Sequence, residues 1–191
     1  MTELGSGLHN AEQHEDALIV QEAELATERR IGAHASYLLL VQGNLAMTLE
    51  SLGRLESALE IKRDVYTSRL KLNGKEHYDT IRESNNYADT LVIVERFEEA
   101  RSLMRKMMPV ARRVLGENHD LMLMMRWAYA RALYEDPGAT LDDVREAVTT
   151  LEDSERIARR VFGGAHPLTE DIETCLRFSR AALRARETPE P

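Results

Sequence analysis

The 191 residues suffice for one array or one globular domain with a buried core, and 33 acidic against 25 basic residues leave a formal net charge of −8. That balance argues against a nucleic-acid partner, since phosphate backbones are bound by basic surfaces. No apolar stretch, Leu38 to Val41 among them, is long enough to span a bilayer; Cys175, the one cysteine, excludes an internal disulfide and a cysteine-built zinc site and fits a cytoplasmic setting.

Four glycines, Gly32, Gly74, Gly116 and Gly163, divide the chain at intervals of 42, 42 and 47 residues, and each is followed within three residues by a histidine: His34, His77, His119 and His166. A period of this size in an alanine- and leucine-rich chain with 5% aromatics predicts a stacked array of helical hairpins, in which each unit needs its neighbours to bury its apolar face.

In chain order, the N-terminus shows no basic segment followed by an apolar run, so no signal peptide is visible. Leu4 and Leu8 lie 41 residues before Leu45 and Leu49, and Ala17 lies 41 before Ala58, so residues 1–33 read as a truncated first repeat that begins inside its first helix. The following units are 34–74, with helices over about 35–52 and 55–72; 75–116, with helices over about 77–94 and 97–115; and 117–163, with helices over about 118–135 and 140–162. The third unit carries a five-residue insertion, Glu135-Asp136-Pro137-Gly138-Ala139, after which Thr140 with Asp143 three residues on forms a helix N-cap. A capping helix over about 168–186 closes a single array of 1–186, and 187–191 read as a disordered tail.

Sliding the chain on itself places Asn44-Leu45-Ala46 on Asn86-Tyr87-Ala88 and on Ala128-Tyr129-Ala130, and Ala58 on Ala100 and Ala147. Recurrent alanines at fixed positions read as points where two helices cross too closely for a larger side chain. Two departures stand out: Ala128 and Cys175 replace the repeated asparagine, and Glu95 replaces the glycine at Gly53.

The repeated histidines lie one per unit, too far apart for one metal ion, and each sits beside a helix start, where an imidazole caps or packs. Paired acids at helix openings and paired arginines at helix ends suit the helix dipole without catalysis. No phosphate-binding loop, serine elbow or metalloprotease motif is present. The expectation is a protein without catalytic residues, cofactor or metal. Met104, Met107 and Met108 on one helix, and Met122, Met124 and Met125 on the next, either fill core gaps or form an adaptable binding surface.

Asn44 through Leu59, with Gly53 and Ala58 at their places, resembles the tetratricopeptide repeat. The 42-residue period, together with Gly163-Gly164-Ala165-His166-Pro167 and Gly74-Lys75-Glu76-His77, is similar to the kinesin-light-chain type of that repeat. No heptad segment of the kind that joins a kinesin light chain to its motor lies in these residues, so the resemblance points to a repeat protein and not to the motor subunit. It covers about residues 4 to 182 and implies an all-α, right-handed helical-hairpin solenoid whose first helices line a concave groove.

Carried onto this chain, the groove-facing positions are Leu40, Gly43, Asn44 and Met47; Arg82, Asn85, Asn86 and Asp89; Met124, Trp127, Ala128 and Arg131; and Asp171, Thr174, Cys175 and Phe178. Asn44 and Asn86 either hold the backbone of an extended peptide or bridge helices within the stack. Trp127 is a natural apolar anchor, and Arg82, Asp89 and Arg131 would select charge. The basic clamp with which some such domains grip acidic chaperone tails is missing at Met124 and Ala128. The implied function is a non-catalytic adaptor or scaffold binding an extended peptide of a protein partner, with no nucleic-acid or membrane partner. The alternative is a structural segment that self-associates through the truncated first repeat.

Overall fold

A computed structural model describes residues 13–187, whose regular secondary structure is entirely α-helical. The eight described helices are α1 (His14–Arg30), α2 (Ala35–Ser51), α3 (Leu55–Asn73), α4 (Tyr78–Ile93), α5 (Phe97–Leu115), α6 (Asp120–Tyr134), α7 (Leu141–Phe162) and α8 (Pro167–Glu187). The ends of α2 to α8 lie within two residues of those expected. The opening helix expected around Leu4 and Leu8, and the tail beyond Glu187, lie outside the described residues. Glu187, expected in the tail, instead closes α8, where its carboxylate pairs with Arg145 at 3.2 Å.

The periodic residues explain the helix ends. The Nδ1 atoms of His34, His77, His119 and His166 each accept the backbone N–H two residues on, at 3.1–3.3 Å. These histidines cap the start of α2, α4, α6 and α8, satisfying a first-turn N–H that has no partner within its helix. At His119 the same N–H also reaches Asp120 Oδ1 at 2.6 Å. At the other end of each hairpin, Gly74, Gly116 and Gly163 adopt φ of 80–88° and close α3, α5 and α7.

The tight turn within a hairpin needs the left-handed region too. Gly53 supplies it with φ 73° between α2 and α3, whereas Glu95 holds it with φ 61° between α4 and α5, the one described non-glycine residue with positive φ.

The chain divides into two compact units after Thr90. In the first, α1 packs on α2 and α2 on α3. Leu18, Leu25, Val41, Leu45, Leu49 and Ala58 form its core, with Tyr37, Leu38, Leu52 and Ile61 against them. Burying each large aliphatic side chain contributes about 1.5–3 kcal/mol. Lys62 is also buried; its ammonium donates to Glu50 Oε2 and to Thr90 Oγ1, both at 2.7 Å, while Thr90 donates to Glu50 Oε1 at 2.9 Å. This triad ties α2, α3 and α4 together, and its polar atoms satisfy one another, as burial requires.

In the second unit α6 packs against α5, α7 and α8. Its interior holds Met104, Met107, Met122 and Met125, so these methionines fill the core. The inserted loop is anchored: buried Arg101 donates to the Ala132 carbonyl at 3.3 Å and pairs with Asp136 at 3.0 Å. Thr140 and Asp143 then make the expected capping box at the start of α7.

Candidate functional site

In the first unit α2, α3 and α4 enclose a concavity of about 320 Å³. α2 contributes Leu39, Leu40, Gly43, Asn44 and Met47; α3 contributes Lys62 and Val65; α4 contributes Arg82, Glu83 and Asn86. Leu40, Gly43, Asn44 and Met47 thus share one face of α2 at the spacing i, i+3, i+4, i+7. Leu40 and Met47 are 39% and 48% exposed, a large apolar exposure for a helix interior. The Asn44 side-chain amide between them has no hydrogen-bond partner among the described residues.

The charges on this wall are paired with one another. Arg82 meets Glu83 at 2.8 Å and Asp79 at 3.5 Å. Burial works against the charged guanidinium, but the hydrogen bond and charge of Glu83, with Asp79 behind it, outweigh burial and hold the Arg82 pKa above its ordinary value. Asn86 donates its amide to Glu83 Oε2 at 3.0 Å. Arg82 is therefore half of an ion pair, and charge selection by a free Arg82 does not fit this geometry.

Two further positions assigned to this face lie elsewhere. Asn85 is buried at 5% exposure, with an Oδ1 that finds no partner among the described residues, and it does not line the concavity. Asp89 is half-buried and is not among the lining residues either. Asn85 and Asp89 lie three and seven residues after Arg82, on its side of α4, so the helical period alone does not remove them from the wall.

In the second unit Met124 is 37% exposed on α6. Trp127 is half-buried; its indole N–H donates to the Cys175 sulfur of α8 at 2.9 Å, and the Arg131 guanidinium lies over its ring at 5.2 Å. Arg131 in turn pairs with Glu135 at 2.9 Å. Burial pushes the Tyr134 hydroxyl pKa up, and its hydrogen bond with Cys175 adds to the shift. Trp127 therefore braces α6 against α8 rather than standing free. Ala128 and Cys175, at 1% and 8% exposure, present nothing to a groove. Asp171 and Phe178 are exposed, and Thr174 is half-buried and accepts from Arg177 at 3.0 Å.

A second hollow of about 510 Å³ between α7 and α8, lined chiefly by arginine and glutamate, escaped the sequence reading. Two of its arginines are paired, Arg159 with Glu173 at 2.7 Å and Arg180 with Glu152 at 2.7 Å. Alternating charges on a helix face read as a solvated surface, and only the pairing across two helices reveals a hollow. Among the described residues no group of three or more His, Cys, Asp or Glu could hold a metal ion, and no helix is long and apolar enough to cross a membrane.

With this geometry in place, known proteins supply the context. Residues 38–79 and 85–120 match the family model of the tetratricopeptide repeat. No curated protein matches the sequence. Among solved structures, the chain is similar to a protein described as a kinesin light chain with nearly identical TPR-like repeats from Podosopora anserina: TM-score 0.80, 22% identity, 97% of this chain and 85% of that one. A second crystal structure of that protein gives 0.78 and 23%, over 97% and 86%. BtubC (BKLC) from P. vanneervenii gives 0.72 and 14%, over 98% and 80%. At these identities the likeness is one of fold. The stacked helical-hairpin fold expected from the repeat period, in the kinesin-light-chain-like form that the resemblance implied, is the fold of this chain.

Proposed function

We propose that this tetratricopeptide-repeat chain is a non-catalytic adaptor that holds an extended segment of a partner protein, with the concavity of α2, α3 and α4 as one contact surface. Repeats of this family generally serve protein–protein interaction and are typically non-catalytic. The observation that carries the reading is the α2 wall, where an Asn44 amide with no partner among the described residues stands between two exposed apolar side chains, Leu40 and Met47. An amide both donates and accepts, so it can pair with a peptide backbone whatever the side chains beside it. Met124, Trp127 and Arg131 on α6 form a second candidate surface, with Trp127 as its rigid aromatic body. A net charge of −8 disfavours nucleic acid, and the single cysteine suits the cytoplasm.

The test is a peptide array read with the wild type, with Asn44→Ala/Asn86→Ala and with Arg63→Ala. Arg63 is exposed beside Asp64 on α3, outside the concavity. Loss of central polar contacts costs about 2 kcal/mol or more, whereas an exposed cation contributes little. The asparagine variant is expected to lose its spots and Arg63→Ala to keep them. The reverse pattern would put the partner on the outer helices and overturn this assignment. Trp127→Ala is a poor probe here, because it also removes the brace to Cys175.

A further inference from the structure

Gly43 lies at the centre of α2. A glycine inside a helix weakens it, because its backbone loses more freedom on folding than any other residue. Chains recover that loss when another element packs against the bare backbone. Gly43 recovers nothing of the kind: a β-carbon built on it meets no atom of the described residues within 4 Å, and its φ is not positive, so an alanine would fit without strain. The matching positions of the next two repeats hold Asn85 and Trp127. Nothing among the described residues asks for glycine at this site.

Gly43 nevertheless lines the concavity, beside the unpaired Asn44 amide and between Leu40 and Met47. The ions of the same walls are already matched, Arg82 with Glu83 and Asp79, and Lys62 with Glu50. A charged ligand side chain would have to break one of these pairs; an uncharged one would not.

We infer that Gly43 is a notch through which the backbone of an extended peptide with uncharged, apolar side chains comes against α2. The missing β-carbon lets that backbone approach near enough to pair with the Asn44 amide. Alternate side chains of the extended peptide, which point to one face, then settle over Leu40 and Met47. This rests on the peptide-adaptor reading above and adds the residue that sets the approach and the chemistry of the peptide that fits.

The probe is acetyl-Thr-Leu-Thr-Leu-Thr-Leu-Thr-amide, with two versions in which glutamate or lysine replaces leucine. Each is titrated by NMR against the wild type and Gly43→Ala, following the residue-43 backbone amide and the Asn44 side-chain amide. Gly43→Ala is expected to melt about 2–4 °C higher, since alanine favours the helix. It is also expected to bind the leucine peptide about tenfold more weakly, because a β-carbon overfills the contact. The glutamate and lysine versions are expected to shift neither signal.

Equal affinity of both proteins for the leucine peptide would overturn the notch and leave the adaptor reading standing. A lower melting temperature for Gly43→Ala would show that folding needs the glycine, and would overturn it as well. Binding of a charged version as tight as that of the leucine peptide would overturn the peptide class. If no peptide shifted either signal in the wild type, the groove assignment itself would fall, and the notch with it.

Discussion

Glu95 shows how a single residue departs from the repeat at a measurable cost. It occupies the left-handed turn that Gly53 fills in the preceding hairpin, with φ 61° against 73°. A side chain there crowds the neighbouring carbonyl by about 1–2 kcal/mol, and glycine returns part of that as extra freedom in the unfolded chain. Glu95→Gly is therefore expected to stabilise the protein by about 0.5–1 kcal/mol in chemical denaturation; a destabilised variant would mean that the glutamate side chain makes a compensating contact. The four capping histidines are the opposite case, residues whose repetition alone revealed their place. Their spacing marks helix starts, and each Nδ1 accepts a backbone N–H there.

At the scale of elements, the recurrent alanines carry the packing. Ala46, Ala88 and Ala130 are all fully buried, as are Ala58, Ala100 and Ala147. Ala88→Leu would force three further carbons into a closed position, at a cost of about 1–3 kcal/mol. An unchanged unfolding midpoint would show that this position has room and is no close crossing. The start of α7 makes a pH-dependent prediction. The Asp143 carboxylate is held below the usual carboxylate range, first by the Thr140 hydroxyl and then by the Thr140 backbone N–H. A depressed folded-state pKa contributes stability above the unfolded value of about 3.9, and loses it as pH falls through the folded value. The stability gap between wild type and Asp143→Asn at pH 7 should thus close as pH falls below about 4. A gap that persisted unchanged to pH 2 would rule out the carboxylate as its source.

For the molecule as a whole, the repeat period made the helices and their order legible, because each periodic position recurs with the same structural duty. The candidate site was legible where one helix alone defines a face, as with Leu40, Gly43, Asn44 and Met47 on α2. It was not legible where the register between helices decides. Lys62, Val65 and Glu83 enter the concavity from α3 and α4, Asn85 turns into a buried position, and Trp127 meets a cysteine 48 residues away. A nitroxide at the middle of an array-selected peptide reveals whether the partner peptide lies in the concavity of the first unit. Paramagnetic broadening reports which side-chain methyls the peptide approaches. Loss of the Leu40 and Met47 methyl signals is expected, with Leu70 and Leu72, exposed on α3, unaffected. Broadening at Leu70 and Leu72 with Leu40 and Met47 left sharp would contradict a peptide in the concavity.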